Sequence, residues 1–161
     1  MGILQSPPGQ DPVTLSNTFN ASSERLFRAW TDAAELKKWF GPRPNSLVSV
    51  IVDLRVGGTW CFLISESAEK KVQLTGEYLK IESNKLLVFS WSHVEEYASG
   101  EKESTPFSQV TVRFTEVADG TKVDLVHENI VAEDGRLGVG RGWLACLTNL
   151  EEHCQQIREE S

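Results

Sequence analysis

The chain has 161 residues, of which 40% are hydrophobic and 24% are charged, and its formal net charge is -7 at pH 7. That length suits one domain, which would bury roughly 70% of the surface that the unfolded chain exposes. The negative charge argues against binding to nucleic acid, which needs a basic surface, and against docking on anionic lipid, while no apolar run is long enough for membrane insertion.

The N-terminal segment, residues 1–12, is rich in Pro and Gly and has neither the basic nor the apolar region of a signal peptide. We expect a flexible leader there, followed by a single domain over residues 13–161. The cysteines are Cys61, Cys146 and Cys154, an odd number with no metal-site spacing. The last two lie about 12 Å apart along one predicted helix, too far for a disulfide. Reduced thiols are therefore expected, and they favour a cytoplasmic location.

The first predicted strand is Val13–Phe19, in which apolar and polar residues alternate. Two short helices follow it. Ser22 is a candidate N-cap of the first helix, and Asp32 begins the second with Glu35 three residues on, as in a capping box. Gly41 and the proline after it end the second helix.

Six further strands are predicted from β-branched and alternating residues. They are Leu47–Leu54, Trp60–Ser65, Val72–Glu82, Leu86–Val94, Phe107–Val117 and Thr121–Glu128. The Gly57-Gly58 pair marks a hairpin turn, and Glu95–Pro106, rich in acidic and small residues, is predicted to be a loop. Successive hairpins predict an antiparallel sheet.

The longest predicted helix covers Gly138–Ser161. Its apolar residues recur in steps of three and four, which places them on one face. They are Val139, Trp143, Cys146, Leu147, Leu150, Cys154 and Ile157. Such a stripe must be buried, and the half-apolar sheet is the available partner. The sequence therefore predicts an α+β fold, in which a curved seven-stranded antiparallel sheet wraps around the long C-terminal helix and two short helices follow strand 1.

This order of elements resembles the helix-grip fold of the START-like (SRPBCC) superfamily. The segments that carry the likeness are FNASSERLFRAWTDAAELKKWFGP (19–42), VDLRVGGTW (52–60), GEYLKIESNKLLVFSW (76–91), DGTKVDLVHE (119–128) and GW (142–143). Within the superfamily, the chain is similar to the AHSA-like family, named for the activator of the ninety-kilodalton heat-shock chaperone's ATPase. The co-chaperones that gave the name carry an additional N-terminal domain, for which the residues before Val13 are too few, so we expect at most a weaker chaperone contact.

The resemblance implies a cavity between sheet and helix that often holds an apolar ligand. By the two-residue period of a strand, Leu125 and His127 share one face, and Phe89, Trp91 and His93 share another. If both faces point inward, the histidines lie in the interior or at its rim. The predicted ligand-binding residues are Trp60, Phe62, Tyr78, Phe89, Trp91, His93, Leu125, His127, Trp143 and Leu147. Alternatively, the aromatic residues are core and each histidine has a structural partner.

Four positions near the predicted cavity allow two interpretations each. Trp39 and Phe40 would either gate the cavity or plug the core. Gly140 and Gly142 would either let the final helix approach the sheet closely or loosen the cavity mouth. His153, near the helix C-terminus, is predicted to face solvent.

Three functions follow, in order of preference. The first is a non-enzymatic domain that binds a small apolar or amphipathic ligand. The second is a co-chaperone-type module that regulates a heat-shock chaperone ATPase, with the acidic segment around Glu95, Glu96 and Glu101 as the contact. The third is a cyclase or hydrolase that uses His93 or His127 as a base. Because no catalytic motif or metal-ligand spacing is present, no catalytic residue, metal or cofactor is predicted.

Overall fold

The structure is a computed structural model that describes residues 2–65 and 67–160. Met1 and Ser161, the ends of the predicted leader and of the predicted domain, lie outside the described residues. The elements in chain order are β1 (Leu4–Gln5), β2 (Val13–Phe19), α1 (Ser23–Thr31), α2 (Ala33–Trp39), β3 (Leu47–Val52), β4 (Thr59–Ser65), β5 (Lys70–Glu82), β6 (Leu86–Tyr97), β7 (Lys102–Ser104), β8 (Ser108–Val117), β9 (Gly120–Glu128) and α3 (Glu133–Glu160).

The strands form one antiparallel sheet in the order β1-β2-β9-β8-β6-β5-β4-β3, and β7 pairs with β6. The α+β helix-grip architecture is therefore confirmed, with a long C-terminal helix and two short helices after the first long strand. The register that matters most for the site pairs Trp91 with Ser108 and Val110 with His127.

The predicted count of seven strands is wrong, because the described residues contain nine. Strand β1 lies in the predicted flexible leader and pairs with β2 through Leu4 and Gln5. Strand β7 lies in the predicted loop 95–106, where Glu95 pairs with Glu103 and β6 continues to Tyr97. Both short strands lack an apolar alternation because both are exposed, so their pairing partners define them rather than their own sequence.

Helix α3 begins at Glu133, five residues earlier than predicted. The glycines that follow favour a non-helical backbone in isolation. Arg136 opposes that tendency, since its Nε donates to the Gly9 carbonyl (2.6 Å) and its Nη1 donates to the Ile130 carbonyl (3.0 Å). The guanidinium thus ties the first turn of α3 to the preceding segment and to the N-terminal residues.

The predicted apolar stripe of α3 is confirmed. Trp143, Leu147 and Leu150 are buried against the sheet and the two short helices. The predicted caps of the short helices are present too, since Ser22 Oγ accepts from the Arg25 backbone N–H and Asp32 Oδ2 accepts from the Glu35 backbone N–H. The apolar faces of α1 and α2 lie in the same core as α3.

A buried carboxylate joins the three helices. Glu35 is only 6% exposed, and both of its oxygens accept from Arg25 Nη1, at 2.6 and 2.8 Å. Arg28 lies 3.2 Å away, and His153 Nε2 donates to Glu35 over 3.1 Å. Burial alone raises the pKa of Glu35, but the hydrogen bonds from His153 and Arg25 outweigh it and hold that pKa below its ordinary value. The prediction that His153 faces solvent is therefore wrong, because Glu35 draws its ring into the core.

Candidate functional site

A cleft of about 560 Å³ lies beside the first half of α3. Its other walls are the segment 130–132, the residues around the start of β8, the middle of β6 and the turn after α2. Small-molecule sites in proteins usually enclose about 300–1,000 Å³, so the volume is sufficient for a drug-sized ligand. Its polar side chains, among the described lining residues, are those of His93, Thr105 and Ser108.

Three glycines form part of the wall that α3 contributes, beside Val139, Trp143 and Cys146. Gly135, Gly138 and Gly142 are spaced by three and four residues, so they share one helix face, and all three line the cleft. A Cβ added at Gly138 or Gly142 would meet no heavy atom of the described residues within 4 Å. At Gly138 and Gly142 the helix therefore presents bare backbone to the cleft, and larger side chains there would occupy its volume.

The two glycines singled out in the sequence have different surroundings. A Cβ at Gly140 would lie 3.0 Å from Gln5 Nε2 and 3.9 Å from Val13 Cγ1, so this glycine permits a close approach of α3 to β1 and β2 of the sheet. Gly142 instead faces the open cleft. The close-approach interpretation thus fits Gly140.

The turn after α2 is held against α3 by Gly41, whose φ is 122°. Asn149 Nδ2 donates to the Gly41 carbonyl over 3.0 Å, and the Gly41 N–H donates to Cys146 Sγ over 3.4 Å. Burial raises the pKa of Cys146 to about 12, so this thiol is a packing group. These contacts place Phe40 and Pro42 at the edge of the cleft.

A second space, of about 20 Å³, lies deeper between the sheet and α2. It could hold about one water molecule. Four predicted ligand-binding residues line this void and not the cleft, namely Trp60, Phe62, Tyr78 and Phe89. Burial raises the pKa of Tyr78 above its ordinary value. Phe40 and Trp91 line both spaces and so separate them, whereas Trp39 is fully buried core.

Of the predicted set, Trp91, His93 and Trp143 line the cleft. Leu125, Leu147 and His127 are completely buried and line neither space. The sequence analysis missed Ser108, Thr105 and Pro106, and it missed the glycine wall. The signal for Ser108 was its strand register, which sets it opposite Trp91 and diagonal to His127.

The buried histidine beneath the cleft has a defined tautomer. Trp143 Nε1 lies 3.0 Å from His127 Nδ1, and an indole N–H can only donate, so Nδ1 is unprotonated. Burial lowers the pKa of His127 to about 3, so its ring is neutral at pH 7 and carries its proton on Nε2. That N–H donates to Ser108 Oγ over 2.7 Å, and the Ser108 hydroxyl donates to the Trp91 carbonyl over 3.3 Å.

This chain of donors has a chemical consequence for Ser108. A serine nucleophile needs a base that accepts its proton. His127 presents an N–H to Ser108 Oγ, and its other nitrogen is occupied by Trp143. The pair is therefore a structural hydrogen-bonded network, and His127 is not the base that the enzyme interpretation requires.

His93 differs from His127 because it lies at the rim of the cleft and is only partly buried. Its backbone is fixed by Thr105, which accepts from the His93 N–H (2.9 Å) and donates its own N–H to the His93 carbonyl (3.0 Å). Among the described residues, no group of three or more His, Cys, Asp or Glu side chains is placed to hold a metal ion. Within the same residues, no helix has both the length and the apolar character needed to cross a membrane.

Comparison with solved structures supports the fold. A protein from Nitrosomonas europaea is 22% identical, with a TM-score of 0.74 over 92% of this chain and 97% of the other. A protein from Rhodobacter sphaeroides is 20% identical, with a TM-score of 0.71 over 96% and 99%. CalU16 from Micromonospora echinospora is 23% identical, with a TM-score of 0.66 over 98% and 90%. A search of curated proteins found no match.

A family model described as activator of Hsp90 ATPase homolog 1-like protein matches residues 20–155. The match runs from the end of β2 through most of α3 and includes both short helices. It therefore covers every wall of the cleft. The chain belongs to the activator of Hsp90 ATPase homolog 1-like family, within the START-like fold.

Proposed function

We propose that this domain binds a small, largely apolar molecule in the cleft beside α3, without catalysing a reaction on it. The observation that carries the proposal is the glycine wall. Each glycine inside a helix costs about 1 kcal/mol relative to alanine. At Gly138 and Gly142 a methyl group would meet no described atom, so packing does not require glycine there. An open cleft explains both positions.

The composition of the walls supports the same function. Aromatic and aliphatic side chains such as Trp91, Trp143 and Val139 dominate the lining, and three polar side chains interrupt it. Apolar walls with a few polar groups are typical of small-molecule sites. Because His127 is neutral and already occupied on both nitrogens, the Ser108–His127 pair supports binding rather than acid–base chemistry. Three free cysteines suit a reducing compartment, so we place this activity in the cytoplasm.

Titration with the fluorescent apolar probe N-phenyl-1-naphthylamine tests the proposal. Wild-type protein should bind the probe, and Gly142→Leu should bind at least tenfold more weakly because leucine fills the cleft. Arg141→Leu is the matched control: it adds the same side chain at the adjacent, exposed position of α3, which does not line the cleft, and should bind like wild type. Equal binding by Gly142→Leu and wild type, with both folded by circular dichroism, would place the probe elsewhere and contradict the proposal.

The second candidate is a weak contact with a heat-shock chaperone. The observation that favours it is the β6–β7 hairpin, which orders the acidic segment and leaves Glu96 and Glu101 exposed. The family name adds to this candidate. A pull-down with the ninety-kilodalton chaperone tests it: binding that is lost on Glu96→Lys supports the contact, and no binding at tens of micromolar excludes it.

A further inference from the structure

We infer that the ligand of the cleft carries a neutral hydroxyl or N–H group that donates a hydrogen bond to Ser108 Oγ. This inference rests on the proposed function and specifies its ligand class. It selects alcohols, phenols and N–H heterocycles over carboxylic acids and over molecules that have only hydrogen-bond acceptors.

The first step is the direction of the hydrogen bonds beneath the cleft. This series of hydrogen bonds starts at Trp143, whose indole N–H can only donate. Each later side chain accepts one hydrogen bond and donates the next. His127 receives at Nδ1 and donates at Nε2, and Ser108 receives from His127 and donates to the Trp91 carbonyl. The Ser108 hydrogen is thus directed to a protein acceptor, the Trp91 carbonyl.

The second step counts the remaining capacity of Ser108. A hydroxyl oxygen has two acceptor lone pairs, and the His127 N–H uses one of them. Since Ser108 also lines the cleft, its second lone pair is the group available to a ligand. A ligand donor fits this site, whereas a ligand acceptor would place two lone pairs against each other.

The third step compares Ser108 with the other hydroxyl of the cleft. Ser108 is only 8% exposed, so a hydrogen bond there faces little competition from water. Thr105 is exposed, and its oxygen already accepts from the His93 backbone N–H. Ser108 is therefore the position at which one hydrogen bond discriminates between ligands.

The fourth step concerns charge. None of the described lining residues is a lysine or an arginine, and His93, at the rim, is the lining residue that can carry a positive charge. A carboxylate placed against Ser108 would lose its hydration without gaining a cation beside it. The lining therefore favours a neutral ligand.

Four naphthalene probes test the inference on the intact chain, by titration of the ¹H–¹⁵N NMR signals of the cleft residues. The probes are 2-naphthol, which has a donor, 2-methoxynaphthalene, which has only an acceptor, naphthalene itself and 2-naphthoate. We expect 2-naphthol to bind about three- to tenfold more tightly than the ether and the hydrocarbon, as one net hydrogen bond predicts. Naphthalene controls for the extra methyl group of 2-methoxynaphthalene. If naphthalene binds no more tightly than the ether does, that methyl group causes no clash.

Two variants locate the hydrogen bond. Ser108→Ala should abolish the preference for 2-naphthol while naphthalene still binds, and Thr105→Val, which removes the other cleft hydroxyl, should keep the preference. Equal affinities of wild type for 2-naphthol and its ether overturn the inference, as does tightest binding of 2-naphthoate or loss of the preference in Thr105→Val alone. That wild-type comparison decides the matter even if Ser108→Ala does not fold.

The same titration separates this inference from the proposed function. If all neutral probes shift the cleft signals with equal affinity, the cleft is an apolar binding site and only the hydroxyl selectivity is wrong. If no probe shifts those signals, the proposed function fails, and the inference fails with it.

Discussion

Trp143 donates its indole N–H to Nδ1 of His127 over 3.0 Å, and both side chains are buried. The contact joins the central face of α3 to β9, so the helix is attached to the sheet by a directional bond as well as by apolar packing. It also fixes the tautomer of His127, and through it the polarity that Ser108 presents to the cleft. The attachment of α3 to the sheet and the polarity of Ser108 thus depend on one hydrogen-bonded network.

Trp143→Phe should reduce the free energy of unfolding by more than Trp30→Phe does, with a difference of about 1–3 kcal/mol. Both changes shrink a buried indole, and the two rings stack on each other at 5.9 Å. Trp143→Phe leaves the buried acceptor His127 Nδ1 unpaired. Trp30→Phe leaves no acceptor unpaired, because the Trp30 N–H has no partner among the described residues. Urea unfolding of the two variants measures the difference, and equal losses would show that the bond to His127 adds nothing.

Acid should destabilise the fold through His127. Its pKa falls from 6.5 to about 3 on burial, so between these values the unfolded chain binds a proton that the folded chain does not. This contribution to stability is fully present above about pH 6.5 and is lost as the pH falls towards 3, at roughly 1.4 kcal/mol per pH unit. We therefore expect the free energy of unfolding, measured with urea, to fall between pH 7.0 and pH 5.5. This fall should be about 1 kcal/mol smaller in His127→Gln than in the wild type. The same drop in both proteins contradicts this origin.

The long strands and the buried face of α3 were predictable because a single pattern in the sequence encodes each. Alternation marks β2, and steps of three and four mark the stripe that contains Trp143 and Leu147. The strands β1 and β7 were not predictable in this way, since short exposed strands depend on the partner that they pair with.

The site was less predictable than the fold, for two physical reasons. Ser108 stands alone in its own sequence neighbourhood, and it meets His127 and Trp91 only through the register of β6, β8 and β9. By helix propensity alone, the glycines of α3 favour a break in the helix. The hydrogen bonds from Arg136 that oppose this break cannot be read from propensity. Of the predicted aromatic side chains, Trp60, Phe62, Tyr78 and Phe89 surround the small void instead of the cleft.

Glu35→Gln should lower the free energy of unfolding by about 1–3 kcal/mol, because it removes the charge that Arg25, Arg28 and His153 share. Asp53→Asn is the matched control. It also neutralises a paired carboxylate, but Asp53 and Arg55 are largely exposed, so the loss should stay within about 0.5 kcal/mol. Chemical denaturation of both variants at pH 7 checks the contrast, and comparable losses would show that burial of Glu35 is not decisive.

Two glycine-to-alanine changes should act in opposite directions. Gly142→Ala should raise the free energy of unfolding by about 0.5–1 kcal/mol, because the helix gains propensity and the new methyl group meets no described atom. Gly76→Ala should lower it by about 1–3 kcal/mol or more, since its Cβ would overlap the Ser90 carbonyl and lie 2.8 Å from Trp60 Nε1. Thermal unfolding of both variants measures whether each change raises or lowers the free energy of unfolding.

The gain in Gly142→Ala should come with weaker binding of N-phenyl-1-naphthylamine, because the methyl group projects into the cleft. A variant that is more stable and binds less tightly would mean that glycine is kept there for the cleft and at a cost to the helix. If Gly142→Ala is more stable and binds the probe as tightly as wild type, the volume next to Gly142 is not used by the ligand. In that case the ligand contacts other lining residues of the cleft, among them Ser108 and Pro106.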